Sequence, residues 1–170
     1  SSRRQRQMCI RDRYSTSQAD DQALIDSILT KLETYDNVDT RDITFIGYGV
    51  GGQLASQYFI QTQKTNLKNL VLISSLLHFD QHKVTYDSQN NRVDTFYSLT
   101  LNPLQAEDST QMIWSPVTPL SGRNYLMFNG TNNLDWPYTG GIANGLELKS
   151  AQDTIYAWAK AENDIANQLT

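Results

Sequence analysis

The chain of 170 residues holds one cysteine, two histidines and four prolines. A single thiol, Cys9, excludes an internal disulfide and a cysteine-built zinc site. His78 and His82 add little to a ligand set, and no metal or cofactor is expected. No apolar run approaches the ~20 residues that span a bilayer, so a soluble protein without a membrane partner is expected. Basic residues give no electrostatic footprint for nucleic acid. Fourteen Lys and Arg stand against eighteen Asp and Glu, a formal net charge of −4. There is no internal repeat and no low-complexity linker. What is abundant is apolar: 39% hydrophobic and 10% aromatic residues are enough for a packed core.

The charge is unevenly spread. Arg3, Arg4, Arg6, Arg11 and Arg13 fall in the first thirteen positions, opposed only by Asp12, which leaves residues 14–170 nine basic and seventeen acidic groups, a net of −8. Such an arm can bind RNA or anionic lipid, or it can be an inert tail. The stretch Gln5 to Arg13, QRQMCIRDR, also looks like translated sequencing-adapter read-through, and it has no apolar segment of a secretory signal. Residues 1–13 are therefore set apart as an artefactual or disordered tail, and Cys9 goes with them.

The remainder reads as one α/β unit, a mainly parallel sheet flanked by helices. Leu24, Ile25, Ile28, Leu29 and Leu32 have the one-sided spacing of an amphipathic helix over Asp20 to Thr34, with Asp20 and Asp21 suited to its N-terminus. Ile43 to Ile46 reads as a strand that runs into Gly47-Tyr48-Gly49-Val50-Gly51-Gly52. Leu54, Ala55, Tyr58 and Phe59 then give a second helix, and Asn69 to Ser74 a buried strand. Strand, helix, strand over about thirty residues is a βαβ unit. Residues 80–122 are polar, with prolines at 103, 116 and 119, and read as an excursion carrying a hairpin around Lys83–Tyr97. Tyr125 to Phe128 predicts a third strand. Ser150 with Asp153 predicts a capped start for a last helix through Ile155, Trp158 and Ile165.

The glycine turn admits two chemistries. Gly47, Gly49 and Gly52 fit G-x-G-x-x-G, the dinucleotide fingerprint, but the following strand closes with Ser74 and Ser75 where a ribose-binding acid is needed, and the nearest acid is Asp80. The other use is the nucleophile elbow, G-x-S-x-G, with Gly49 in the serine's place.

Three stretches carry a resemblance: Asn37-Val38-Asp39-Thr40-Arg41, Ile46 to Ala55 (IGYGVGGQLA) and Asn129 to Gly141 (NGTNNLDWPYTGG). On these the chain resembles the polyhydroxybutyrate depolymerase and feruloyl-esterase-like branch of the α/β-hydrolases, over roughly residues 20–165. The resemblance implies part of an α/β-hydrolase fold, a serine ester hydrolase ancestry and a secreted or periplasmic setting. It places Gly49 at the nucleophile's position, Asn133 at the triad acid and the backbone N–H of Val50 at the oxyanion. The family's catalytic histidine would follow a further strand that this sequence does not contain. Glycine cannot attack an ester, and asparagine cannot carry the charge that stabilises an imidazolium. The chain then reads as the C-terminal part of a hydrolase domain, catalytically inactive as given, whose open flank would make residues 14–170 prone to aggregate.

Other residues are weaker candidates. Ser74 or Ser75 with His78 or His82 would need relay geometry that proximity in sequence does not supply, and surface histidines on a loop are expected. A metal site needs three or four converging ligands; His78, Asp80 and His82 alternate as strand neighbours on one face would, but Leu77 and Phe79 would then have to face a core on the other side. Asp135 could stand in for the missing acid. Tyr48, Trp136 and Tyr138 lie where ligands bind at the carboxyl edge of a parallel sheet and could line a cleft for an ester or polymer, unless Trp136 packs on the elbow helix. A non-catalytic binding module and a nucleotide-binding domain remain the alternatives; the sequence leaves the oligomeric state open.

Overall fold

The computed structural model describes residues 21–101, 112–143 and 145–168. The basic tail, the reading of Asp20 as an N-cap and Pro103 lie outside them. The chain divides into two compact units, one of residues 1–39 and 99–115, the other of residues 40–98 and 116–170.

In the first unit, helix α1 (Asp21–Leu32) follows the apolar periodicity. Of its predicted stripe, Leu29 is buried, Ile25 and Leu32 are half-buried, and Leu24 and Ile28 are exposed.

The second unit is built on a three-stranded parallel sheet, β1 (Ile43–Tyr48), β2 (Leu67–Ile73) and β6 (Asn124–Phe128), in the order β1-β2-β6. Helix α2 (Val50–Gln61) crosses from β1 to β2, completing the expected βαβ unit. After β6 the chain forms helix α3 (Ala151–Gln168). Its start is capped by Ser150: the Asp153 N–H donates to Ser150 Oγ at 3.0 Å, and the Ser150 hydroxyl donates to Asp153 Oδ2 at 2.7 Å.

Pleating sends alternate side chains of the sheet to opposite faces. Phe45 and Gly47 of β1, Leu70 and Leu72 of β2, and Tyr125 and Met127 of β6 point to the face covered by α2 and α3. The core there is aromatic. Tyr125 stacks on Trp158 at 4.6 Å between ring centroids, Phe59 meets both rings edge-on, and Phe45 stacks on Tyr58. Phe59, Ile60 and Leu67 have no exposed surface; burying each such side chain contributes about 1.5–3 kcal/mol.

The expected hairpin is present as β3 (His82–Tyr86) and β4 (Arg92–Leu101), antiparallel from His82↔Phe96 to Tyr86↔Arg92. Phe96 carries it onto the core, 4.8 Å from Trp158. Two features of this region escape periodicity. Strand β5 (Met112–Val117) contains Pro116, and β7 (Gly141–Ala143) pairs antiparallel with β8 (Leu146–Leu148). Short strands in polar sequence carry too few residues for a period to register.

Arg123 locks the layers. Its guanidinium is buried, donates to the carbonyls of Phe59 at 2.6 Å, Thr62 at 3.2 Å and Lys64 at 3.3 Å, and lies over the Phe59 ring. It thus satisfies carbonyls that the end of α2 leaves open and places a cation at the negative end of the helix dipole.

Candidate functional site

The turn between β1 and α2 sits at the carboxyl edge of the sheet. Gly49 has φ 53° and ψ −121°, a conformation that costs an L-residue strain. Its N–H bonds to Ile73 O at 3.0 Å, its carbonyl accepts from Gly52 N at 3.0 Å, and Val50 begins the helix directly. The neighbouring glycines answer to space. A Cβ on Gly47 would lie 2.4 Å from Gly52 Cα, and one on Gly52 would lie 2.4 Å from the Ser75 side chain, whereas one on Gly51 would meet nothing within 4 Å. The strand and helix therefore touch backbone to backbone, which is what lets the turn be so tight.

Around this turn the predicted residues divide. Trp136, only 5% exposed, packs with Leu76, Leu148 and Ala151, joined by half-buried Val50 and Tyr138. A Cβ on Gly49 would approach the Trp136 indole nitrogen to 3.3 Å. Trp136 thus fills the space beside the turn and touches the start of α2. Tyr48 is 73% exposed on the other face of the sheet, so the three aromatics do not converge on one cleft. Asn133 works as a loop brace: its Oδ1 accepts from the N–H groups of Asp135 and Trp136, both at 3.0 Å. An aspartate could accept the same two bonds, so this geometry does not require the amide.

Ser75 is fully buried against Gly52, and among the described residues its hydroxyl has no hydrogen-bond partner. Ser74 follows β2 at φ 48°, a rare conformation outside glycine, with its N–H on Phe128 O at 2.8 Å.

The histidines overturn the expectation of surface positions. Both are buried, because the segment after β2 turns inward under the hairpin and α3. Nor do they share a strand face: His78 makes an isolated bridge to Leu148, while His82 opens β3. His78 Nδ1 accepts the Asp80 N–H at 3.1 Å, with the Asp80 carboxylate 3.8 Å away. His82 Nε2 stands 3.1 Å from Asp94 Oδ1. Among the described residues no group of three or more His, Cys, Asp or Glu could hold a metal ion.

Asp94 is the centre of a charged cluster that the sequence did not announce. Its side chain is 4% exposed; Arg92 grips it with two bonds at 2.9 and 2.8 Å, and Lys160 lies 3.6 Å away. Burial alone would raise its pKa, but the Arg92 bonds together with Arg92, His82 and Lys160 charge hold it below the ordinary carboxylate value. Burial, followed by the nearby Lys149, brings His82 down to about 4 against the pull of Asp94. Burial likewise lowers His78 to about 4, with Asp80 opposing. Both imidazoles are thus neutral at pH 7, and neither is placed on a serine.

Among the described residues no helix is long and apolar enough to cross a membrane. Comparison of the chain with protein-family models, with curated proteins and with solved structures gives no match. What stands is a mixed α/β architecture, with one parallel sheet and separate antiparallel pairs.

Proposed function

We propose that residues 14–170 form an esterase- or depolymerase-like α/β-hydrolase domain that is catalytically inactive as it stands. One observation carries the reading: the strand-to-helix turn holds its central residue at φ 53° and ψ −121°, where an elbow nucleophile is strained and displayed, yet that residue is Gly49. Asn133, at the acid's position, braces its loop instead of orienting a base. An assay of the 170-residue chain on short p-nitrophenyl esters tests this. No turnover is expected, and no serine should take a fluorophosphonate label. Turnover that survives Gly49→Ala, with label on another serine, overturns the reading.

The exposure of Tyr48 beside the turn favours a second use of the same edge, as a non-catalytic binding module for a polymer or partner. Saturable retention on polyester or plant cell-wall material that Tyr48→Ala abolishes would select this use.

A further inference from the structure

The β3–β4 hairpin and the parallel sheet belong to separate sheets, so among the described residues no ladder of backbone bonds ties one to the other. Side chains hold the hairpin on α3. The Phe96 ring lies 4.8 Å from that of Trp158, the Arg92 guanidinium 4.6 Å from the Tyr156 ring, and Lys160 Nζ 3.6 Å from Asp94 Oδ2. Gln57 of α2 adds one long bond, Nε2 to Tyr97 O at 3.4 Å. His82 sits inside this joint at 1% exposure, its ring 4.8 Å from that of Phe96. Its surroundings suit a neutral imidazole better than an imidazolium. Asp94 and Arg92 face it from β4, and Lys149 from the link between β8 and α3. Next to these stand Lys160 on α3, and Asp153, which acts on Lys149. Asp94 cannot neutralise a further charge in full, because its oxygens already take two bonds from Arg92 and the pull of Lys160. An imidazolium would be a fourth cation beside Arg92, Lys149 and Lys160. It would also carry a second N–H, and His82 Nδ1 has no hydrogen-bond partner among the described residues. A buried donor without an acceptor costs its full desolvation.

We propose that His82 is an acid-sensitive latch: a proton taken up by its buried imidazole frees the β3–β4 hairpin from α3 while the parallel sheet stays folded. Release gives the charged ring to water and parts Phe96 from Trp158, uncovering an aromatic face that is closed at neutral pH. The sheet keeps a core of its own, because Phe59, Tyr125 and Trp158 pack among themselves. Burial sets the sign. The imidazole has a pKa of about 4 in place, against 6.5 when exposed, so the open form binds more protons as pH falls below 6.5. Local openings of this kind are drawn from segments with few buried attachments. Between pH 7 and pH 5 the open fraction should rise roughly 20-fold.

Hydrogen exchange of the 170-residue chain, read by mass spectrometry at about pH 7 and pH 5 and corrected for intrinsic rates, tests the proposal. Protection across residues 82–98 is expected to fall roughly 20-fold, while β2 and β6 keep theirs. His82→Gln should abolish the hairpin's response to pH. Should that variant not fold, His82→Phe keeps a ring against Phe96 and serves the same purpose. His78, buried but bridged to Leu148 away from the hairpin, is the control: His78→Gln should respond as the parent does. Equal hairpin protection at the two pH values overturns the proposal. So does a loss shared equally by β2 and β6, or a hairpin response that survives replacement of His82.

Discussion

The glycine turn after β1 and the charged joint beneath the hairpin are opposites. The turn is conspicuous in sequence, and what shapes it is the lack of side chains: Gly47 and Gly52 touch, and Gly49 takes a φ of 53°. The joint has no motif, yet it gathers Asp94, Arg92, His82 and Lys160 within hydrogen-bond or ion-pair reach. The turn is governed by space, and the joint by charge in a medium that screens poorly. A motif can therefore persist where chemistry is missing, and chemistry-bearing groups can gather for structure alone.

Four measurements sharpen that contrast. Asp94→Ala removes the one anion of the joint and leaves Arg92, Lys160 and a buried imidazole without it. Because Arg92 and Lys160 keep part of their solvent, chemical denaturation should show a loss of about 1–3 kcal/mol. Acid acts on the same place. Both histidines have folded pKa values of about 4, below the ordinary 6.5, so the unfolded chain binds more protons between those limits. Stability is fully present above pH 6.5 and falls as pH drops toward 4, by roughly 3 kcal/mol for each histidine. A denaturation series across pH 4–7 checks this, and a flat profile would contradict the buried neutral imidazoles.

At the turn the expected effects are smaller and depend on position. Gly47→Ala drives a methyl group into Gly52 and should cost about 1–3 kcal/mol. Gly51→Ala meets nothing and sits inside α2 at an ordinary φ, so it should stabilise by about 0.5–1 kcal/mol. Equal costs for the two would mean that the strand and helix do not touch as described.

Much of the second unit was legible because its elements bury one side. The period of α2, the apolar run of β2, the Ser150–Asp153 cap and the hairpin around Lys83–Tyr97 all appear where the residues predict them. β7 and β8 were not legible, being three residues each, and Pro116 argued against the strand that contains it. The role of Arg123 was hidden for a different reason. Its partners are the carbonyls of Phe59, Thr62 and Lys64, about sixty positions away, and backbone carbonyls leave no mark on a sequence. His78 and His82 were misplaced as surface residues because a polar segment reads as solvated until a hairpin and a helix close over it. Trp136 could equally have lined a cleft or packed, and its contact with the cluster around Leu76 decided the matter.

The sequence by itself determined the helices and the strands of the parallel sheet, that strand, helix and strand form a parallel unit, and that positions 49 and 133 hold no nucleophile or carboxylate. Those follow from local periodicity and from the chemistry of single side chains, which no folding can change. Only the tertiary structure decided that the histidines are buried and neutral, and that Asp94 gathers the cations Arg92 and Lys160 beside the neutral His82. Each depends on which distant segments cover a given side chain, and coverage sets desolvation, pKa and exposure alike.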